Sequence, residues 1–360
     1  MSWAIWITGL PGSGKSTVAR AAVAELTAAG SAVVLLELDR MRAAVTPQPT
    51  YGAAEREIVY RSLVFAAHTL TEAGVPVIID ATGHRRAWRD LARATIRAFA
   101  EVQIVCPLEV ARTREAAREA GAAPPAIYAG AAAPGATVPG VNVPYEATLS
   151  PELTIDTVIH DPAMASARIV ALASTLGPAR RRSERHGAVV WLTGRPGSGK
   201  TTLASGLTER LAADGVAVTL LDWIALRGFV FTTAWAPEPD EEIAHRGLAY
   251  TARLLADAGY VVVVDATAPR RDWRARAREI IGDLAEVQLM CRAEVCLDRE
   301  RAVRWRPHGG GAAAAPDLAI EYEYSTNPDL LLDTETRSAW TATEDLVRFA
   351  RRRLDAACPH

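Results

Sequence analysis

Three observations predict two tandem α/β domains, each a parallel sheet covered by helices on both faces. Residues 6–17, WITGLPGSGKST, recur as residues 191–202, WLTGRPGSGKTT. Apolar strand patterns alternate with helical patterns in both copies, which is typical of a parallel sheet with helical crossovers. Polar segments follow the predicted strands, at the sheet edge where ligands of such folds bind. We therefore expect domains at residues 1–179 and 187–360, joined by an Arg-rich linker at 180–186.

The elements follow the same order in each copy. A buried first strand (4–8; 189–193) precedes a glycine loop and a helix that ends at Gly30 or Gly215, a common helix stop. The later strands are predicted at 32–38, 75–80 and 101–106 in the first copy and at 217–222, 261–265 and 286–291 in the second, with long helices at 55–73 and 241–258 and an Arg-rich helix after the third strand.

The register between the copies changes near the end of each domain. Asp80 and Asp265 are separated by 185 residues (265 − 80), but Tyr145 and Tyr322 are separated by 177 (322 − 145). The second copy has therefore lost eight residues (185 − 177), which fall between Arg299 and Tyr322.

Composition limits the classes of function. Apolar residues make up 49% of the 360 residues and the net charge is −2, so a general polyanion binder is not expected. No apolar run is long enough to span a bilayer, and the first residues lack the basic leader of a signal peptide. The four cysteines form no CxxC pair, which is typical of reduced thiols. We expect a cytoplasmic protein without nucleic-acid or membrane partners.

Each copy carries the complete pattern GxxxxGK[ST] of a phosphate-binding loop between a predicted strand and a predicted helix. Backbone N–H groups of such a loop surround phosphates, the lysine reaches the β/γ oxygens and the hydroxyl binds magnesium. ATP and Mg²⁺ are therefore the expected cofactors, with Ser16 and Thr201 as metal ligands. The predicted nucleotide-binding residues are Gly9, Pro11, Gly12, Ser13, Gly14, Lys15, Ser16 and Thr17 in the first copy and Gly194, Gly197, Ser198, Gly199, Lys200, Thr201 and Thr202 in the second.

Lysine usage supports this interpretation. The chain has 40 basic residues, of which Lys15 and Lys200 are the only lysines. A compact ammonium fits inside a phosphate-binding loop where a planar guanidinium does not.

Acidic residues near these loops are the candidate catalytic groups. Asp80 and Asp265 end strands beside the loops, where they can hold the magnesium shell or polarise a hydroxyl; a helix N-cap is the alternative. Asp39, after the second strand, is the other candidate. Its counterpart is Ile224, and the nearest acid in the second copy is Asp222.

The Arg-rich helix presents three arginines on one face in each copy, namely Arg86, Arg89 and Arg93, and Arg271, Arg274 and Arg278. They can grip an anionic substrate or form a solvated face with ion pairs. Of the six, we expect a substrate role for Arg86 alone.

Taken together, these residues resemble the adenylylsulfate (APS) kinase family, whose members are P-loop kinases with a nucleoside-monophosphate-kinase-like fold. The family's GLSGSGKST resembles residues 9–17, its LDGDxxR resembles 36–42, and its PLEVCxxR falls on 107–114. Its RxxRxxAR is matched at 86–93, and its GIDxPYExPxxPELxxDT falls on 140–157.

The resemblance implies roles for individual residues. Asp39 takes the place of the acid near the transferred phosphate, and together with Lys15 and Asp80 it is predicted to be catalytic. Arg42 and Arg56 take the places of substrate-binding arginines, and Tyr51 that of an aromatic residue that stacks on the substrate adenine.

A lid over the phosphates is also implied. It begins at Arg114, which is predicted to bind the nucleotide, and Arg112 and Arg118 are expected to belong to it.

Several positions depart from the family pattern, mostly in the acceptor half. Val59 and Ser62 replace a substrate-binding Asn and an Arg, Ala136 and Val138 replace a lid Lys and Phe, and Gly83-His84 replaces Ser-Pro. The second copy departs further. It has Ile224 for Asp39, Ala236 for Tyr51, Glu241 for Arg56 and a shortened lid that contains Gly309–Gly311.

The resulting prediction is an ATP-dependent small-molecule kinase that transfers the γ-phosphoryl group to a hydroxyl, with the 3′-hydroxyl of adenylylsulfate as the leading acceptor. Another hydroxylated metabolite is the alternative acceptor, and the second domain is alternatively a nucleotide-binding pseudokinase. A nucleic-acid end kinase is disfavoured by the net charge of −2. Because enzymes of this family usually pair, an intramolecular pseudo-dimer or a homo-oligomer is expected.

Overall fold

The computed structural model describes residues 1–117, 127–132, 135–178, 187–233, 236–304 and 321–356. The chain divides into two compact units, Met1–Arg182 and Ser183–His360. The predicted linker at 180–186, the lid residue Arg118 and Gly309–Gly311 lie outside the described residues, so the predicted domain boundaries and these lid assignments stay predictions.

Each unit is a five-stranded sheet in which every paired strand is parallel. The elements of the first unit are β1 Trp3–Thr8, α1 Lys15–Ala28, β2 Val34–Glu37, α2 Leu38–Val45, α3 Ala53–Glu72, β3 Val77–Asp80, α4 Arg86–Thr95, β4 Ala98–Val105, α5 Leu108–Ala116, β5 Leu153–Asp156 and α6 Pro162–Leu176, with a short 3-10 helix at Ala129–Ala132. Those of the second are β6 Ala188–Thr193, α7 Lys200–Ala213, β7 Val218–Asp222, α8 Trp223–Val230, α9 Glu238–Asp257, β8 Val261–Asp265, α10 Arg271–Ile281, β9 Leu284–Met290, α11 Ala293–Arg304, β10 Leu330–Asp333 and α12 Ala339–Ala356. The strand order is β2-β3-β1-β4-β5 in the first unit and β7-β8-β6-β9-β10, read from the other edge, in the second.

The central strand shows why the sheet is covered on both faces. All six residues of β1 are buried. Trp3, Ile5 and Ile7 pack in one core cluster with residues of α1 and α6, whereas Trp6 points to the other face and stacks with Tyr60 of α3 at 6.5 Å. A strand buried on both faces has the continuous apolar sequence seen here. The predicted fold class is confirmed in both units.

Several strand and helix boundaries differ from those predicted, and two strands of the first unit are examples. The strand expected at 32–38 is only Val34–Glu37, because the chain turns directly into α2 at Leu38. The strand expected at 101–106 begins earlier, at Ala98. Helix α2 and its counterpart α8 were not predicted, and they carry Asp39 and Ile224.

The described helices include none with the length and apolarity needed to cross a bilayer.

Candidate functional site

The glycine loop joins β1 to α1 through backbone conformations that L side chains rarely adopt. Gly12 and Gly14 have φ values of 72° and 94°. A Cβ atom on Gly12 would lie 2.2 Å from the carbonyl oxygen of Ala111, and one on Gly197 would lie 2.3 Å from that of Cys296. The loops of both units therefore need glycine for conformation and for space.

The lysine of each loop is buried and turned back on it. Lys15 Nζ donates to the carbonyl oxygen of Leu10 at 2.8 Å, and Lys200 Nζ donates to the carbonyl oxygens of Gly194 and Arg195 at 3.0 Å. The ammonium groups thus lie within the loops, where the sequence predicted them.

The loops also contain buried polar atoms that fit a phosphate ligand. The side-chain oxygens of Ser13 and Ser198 are buried and hydrogen bond to no described residue. With the backbone N–H groups at the start of α1 and α7, they form a cradle that suits an anion.

Asp80 and Asp265 end the strands beside the loops and contact the loop hydroxyl groups. Thr201 Oγ1 donates to Asp265 Oδ2 at 2.6 Å. Burial raises the pKa of Asp80, while the charge of Lys15 and a hydrogen bond from Ser16 oppose that rise. Burial likewise raises the pKa of Asp265.

The alternative that these two acids cap helices is wrong. The N-cap residues of α4 and α10 are Arg85 and Arg270, several positions later. A hydroxyl and a carboxylate in contact are a donor set that suits Mg²⁺, which prefers oxygen ligands and takes few from protein. In the described parts of the chain, no group of three or more His, Cys, Asp or Glu residues could hold a metal ion.

A second pair of acids lies at the end of the neighbouring strand. Glu37 is in register with Asp80, and Asp222 with Asp265. Asp222 is thus the counterpart of Glu37, which lies 2.6 Å from Arg20 and 2.5 Å from Arg40. The shared offset of 185 residues (222 − 37) is the sequence signal that links Glu37 to Asp222, and Glu37 differs from the predicted candidate of this segment, Asp39.

Asp39 lies in the first turn of α2. Its charge and that of Glu37 raise the pKa of Asp80, so the three carboxylates share one electrostatic environment. Asp222 in the second unit instead caps α8, because its Oδ1 accepts a hydrogen bond from the backbone N–H of Ile224 at 2.9 Å.

The predicted substrate residues of the first unit come together around Tyr51. The guanidinium groups of Arg42 and Arg56 lie 5.3 Å and 5.9 Å from the centroid of its ring. Arg42 is buried and lies 3.3 Å from Glu55. Arg56 donates to the carbonyl oxygen of Thr137 at 3.0 Å, while its buried Nε has no hydrogen-bond partner among the described residues.

The same region of the second unit has different chemistry. Arg227, the counterpart of Arg42, lies 3.3 Å from Glu241, which replaces Arg56. Trp223 stacks on His245 with ring centroids 3.6 Å apart, and the ring centroid of Trp273 lies 4.8 Å from that of the imidazole. These side chains of the second unit therefore contact one another where the first unit has Tyr51 flanked by two arginines.

The arginines of α4 divide between structural and exposed roles. Arg89 is fully buried and donates to Glu101 at 2.6 Å and to the backbone carbonyl of Gly83. Arg93 pairs with Glu152 at 2.6 Å. Arg86 lies 3.7 Å from Asp90 on its own helix, which fits the solvated alternative, and its substrate role stays a prediction.

Arg114 is tied to the phosphate loop through Thr157. Its guanidinium donates to Thr157 Oγ1 and to the Thr157 carbonyl oxygen at 3.0 Å, and Thr157 Oγ1 donates to the carbonyl oxygen of Ser13 at 2.8 Å. The second unit has the same arrangement, in which Arg299 donates to the carbonyl oxygen of Thr334 and Thr334 Oγ1 donates to the carbonyl oxygen of Ser198.

A cavity of about 290 Å³ adjoins the repeated arrangement in the second unit. It is lined by Ser198, Gly199, Thr202, Leu203, Arg299, Thr334, Arg337, Ala339 and Ala342. The cavity thus joins the predicted nucleotide-binding residues of the second loop to two arginines, a surrounding that suits a nucleotide.

Comparison with known proteins identifies the family. The family model described as adenylylsulphate kinase matches residues 1–156 and 186–333. The chain belongs to the adenylylsulphate kinase family. The double match also confirms the tandem duplication, and the predicted enzyme class, an ATP-dependent phosphotransferase with an alcohol group as acceptor, is confirmed with it.

Individual relatives resemble one domain at a time. The chain is 35% identical to a probable adenylyl-sulfate kinase of Archaeoglobus fulgidus, with a match that covers 45% of this chain and 99% of that protein. It is 34% identical to the adenylyl-sulfate kinase of Rippkaea orientalis, over 47% of this chain and 97% of that protein. The solved structure of the Mycobacterium tuberculosis APS kinase in complex with AMPPNP and APS is 27% identical, covers 46% of this chain and 99% of that one, and has a TM-score of 0.40.

Several site residues of this adenylylsulphate kinase family member were missed by the sequence analysis. Thr157 is one, because its contact with Ser13 spans 144 positions. Tyr60 and Trp88 stack at 3.8 Å beside His84, and no periodic signal links these three positions.

Proposed function

We propose that the first unit transfers the γ-phosphoryl group of MgATP to the 3′-hydroxyl of adenylylsulfate. The observation that supports this most directly is that Tyr51, Arg42 and Arg56 form an aromatic and cationic group in the same unit as the loop lysine and the acids Asp39 and Asp80. Such a group suits an acceptor that combines a base with an anionic chain.

The nucleotide side of the proposal rests on the loop. The backbone cradle, Lys15 and Arg114 would hold the triphosphate, because each offers donors to phosphate oxygens. Ser16 and Asp80 would hold magnesium, which neutralises phosphate charge when it is bound. Asp80 suits this role, because its carboxylate lies beside both the Ser16 hydroxyl and the Lys15 ammonium.

On the acceptor side, Asp39 would accept the hydrogen bond of the attacking hydroxyl and orient it. An acid that positions the nucleophile in this way typically contributes a factor of about 10²–10⁴ in rate. Arg42 and Arg56 would fix the anionic part of the acceptor, and Tyr51 would stack on its base.

For the second unit, we propose nucleotide binding without fast transfer. Its loop retains Lys200 and the contact between Thr201 and Asp265. Glu241 pairs with Arg227 where the first unit has a second arginine, and Ile224 replaces Asp39. A carboxylate in that place repels an anionic acceptor. Pairing of the two units as a pseudo-dimer, homo-oligomerisation and a cytoplasmic location remain predictions.

A turnover assay of the full chain tests the proposal. The purified protein is incubated with MgATP and one of adenylylsulfate, AMP or gluconate, and ADP formation is coupled to an absorbance change. Of the three acceptors, we expect only adenylylsulfate to give fast turnover. The Lys15→Ala variant should lose this turnover, and the Lys200→Ala variant should keep it. Turnover with gluconate but not adenylylsulfate would favour the other hydroxylated metabolite, and loss in Lys200→Ala alone would assign turnover to the second unit.

A further inference from the structure

His84 is placed inside the first unit by a turn that favours glycine. Gly83, just before it, has a φ of 51°, and a Cβ atom there would lie 2.9 Å from the indole of Trp6. The turn follows β3, which ends at Asp80, so His84 comes four positions after the proposed metal ligand at the end of the same strand. His84 is 6% exposed.

The backbone on both sides of the His84 side chain is held by hydrogen bonds. The N–H of Gly83 donates to Tyr60 Oη at 3.1 Å, and the carbonyl oxygen of His84 accepts from the N–H of Glu146 at 2.9 Å. The imidazole is held edge-on against Trp88 at 5.0 Å and against Tyr60 at 6.5 Å. The orientation of the ring is therefore set by its surroundings.

The polar atoms of the ring are not used by these contacts. Within the described part of the chain, no residue hydrogen bonds to either ring nitrogen of His84. A second unused donor is Arg56 Nε, which is buried and hydrogen bonds to no described residue. A buried donor such as Arg56 Nε is costly unless a ligand satisfies it.

The charges around the ring define the kind of ligand. Burial, with the charges of Arg56, Arg85 and Arg42, lowers the pKa of His84 to about 4, and Glu146 acts in the opposite direction. The imidazole is therefore neutral near pH 7 and can donate one hydrogen bond. Because the surrounding charge is mostly positive, an oxyanion is the partner that this place favours.

The second unit lacks both unused groups. Pro269 stands where the first unit has His84, and Glu241 stands where it has Arg56. Proline has no side-chain donor, and Glu241 is already 3.3 Å from Arg227. The two unused donors, the His84 imidazole and Arg56 Nε, thus occur only in the first unit, to which we assign turnover.

We propose that His84 is a specificity-determining residue of the first unit, whose imidazole, together with Arg56 Nε, donates a hydrogen bond to an oxygen of the acceptor's phosphate–sulfate group. The inference rests on the proposed function, since it names a contact of the same acceptor site. It assigns recognition of the anionic chain to a position where the family pattern has a proline, which cannot make this bond.

The test uses His84→Phe, which keeps the packing on Trp88, and His84→Gln, which keeps a hydrogen-bond donor. His68→Phe is the matched control, because His68 lies in the same unit and contacts the carbonyl oxygen of Thr95.

For each full-length variant, the KM and kcat with adenylylsulfate are measured, and calorimetry gives the Kd of adenylylsulfate and the Kd of ATP. We expect His84→Phe to raise KM and Kd for adenylylsulfate about tenfold, the usual effect of one lost hydrogen bond. His84→Gln should stay within about threefold, and ATP affinity should not change.

An unchanged Kd for adenylylsulfate in His84→Phe would overturn the inference. So would equal weakening in His84→Gln accompanied by a lowered melting temperature, because that pattern indicates packing alone. If the unmodified chain binds adenylylsulfate without turning it over, the proposed function fails, and the Kd values still decide the role of His84. If it does not bind adenylylsulfate, the inference fails as well.

Discussion

In the second unit the guanidinium of Arg227 lies 3.3 Å from the carboxylate of Glu241, and in the first unit the place of that carboxylate is taken by Arg56. Arg42, the counterpart of Arg227, pairs with Glu55 one position earlier on α3. In the second unit Glu241 neutralises the charge of Arg227. In the first unit Glu55 pairs with Arg42, and Arg56 adds a positive charge at the position that corresponds to Glu241. The two units share a fold and differ in the charge that they offer to an acceptor.

Arg56→Gln should therefore weaken acceptor binding. The variant removes a charged donor beside Tyr51, and the loss of one charge-assisted hydrogen bond commonly costs about 1.5–3 kcal/mol. We expect the KM for adenylylsulfate to rise about 10–100-fold, with little change in the Kd of ATP. Arg61→Gln is the matched control, since Arg61 lies one turn later on α3 and pairs with Glu57 at 2.7 Å. Equal effects of the two substitutions on KM would contradict this role.

Nucleotide binding should occur in both units. Each loop has a buried lysine bonded to loop carbonyls and a buried serine hydroxyl without a described partner. Calorimetry with a non-hydrolysable ATP analogue and magnesium should give a stoichiometry near two, and Lys15→Ala or Lys200→Ala should reduce it to about one. A stoichiometry of one in the unmodified chain, unaffected by Lys200→Ala, would exclude a second site.

Gly12→Ala should damage the first loop far more than a substitution at another left-handed glycine. Gly12 and Gly30 have φ values of 72° and 85°, but a Cβ atom would clash only at Gly12. Gly30→Ala should cost about 1–2 kcal/mol of unfolding free energy, the usual penalty of a left-handed residue. Gly12→Ala must also displace the backbone of Ala111, so we expect a larger loss of stability and no ATP binding in the first unit. Urea denaturation and calorimetry measure the two effects, and equal behaviour of the variants would show that the clash is relieved.

The parts of the fold that were predictable are those with a local signal. β1 is a continuous apolar run and the glycine loop is a fixed motif, so the strand, the loop and the position of Lys15 were predicted. Helix α2 was not, because Leu38 follows Glu37 directly and the side chain of Glu37 makes no capping bond. Without a glycine or a capping residue, the change from strand to helix leaves no mark in the sequence.

The acceptor half of the site was less predictable because it depends on contacts between distant segments. Arg89 looked like a surface arginine from its helical spacing, yet it is fully buried against Glu101. His84 meets Tyr60 and Trp88 only after α3 and α4 have packed together. Such groupings follow from tertiary packing, which periodicity in one segment does not reveal.

Acid should destabilise the second unit through His245. Its imidazole is buried between Trp223 and Trp273, and burial lowers its pKa to about 3. An unfolded histidine has a pKa of about 6.5. Between these values the unfolded chain binds a proton that the folded chain does not, so the free energy of unfolding falls as the pH falls below about 6.5, by about 1.4 kcal/mol per pH unit.

His245→Gln removes this proton uptake and should flatten the dependence. Relative to its own value at pH 7.5, the variant should lose about 1.4 kcal/mol less unfolding free energy than the unmodified chain at pH 5.5. His160→Gln, at a partly buried histidine of the first unit, is the control, and His84 stays in every protein compared. Urea denaturation between pH 7.5 and 5.5 measures the slopes, and identical slopes with and without His245 would refute the assignment.

Asp39→Asn should separate chemistry from nucleotide binding. Asp39 lies in the first turn of α2 and shares its electrostatic environment with Asp80, whereas the loop that holds ATP does not include it. If Asp39 orients the attacking hydroxyl, its loss removes an interaction of the transition state and should lower kcat by about 10²–10⁴. The Kd of ATP should change less than threefold, about 0.7 kcal/mol, because Lys15 and the backbone cradle remain.

Asp222→Asn is the matched control, since Asp222 caps α8 in the second unit, and this substitution should leave kcat unchanged. Both variants are assayed with saturating MgATP and varied adenylylsulfate. If Asp222→Asn or Asp265→Asn abolishes turnover while Asp39→Asn retains it, the working site lies in the second unit, and the exchange of Arg56 for Glu241 would then mark a change of acceptor rather than a loss of activity.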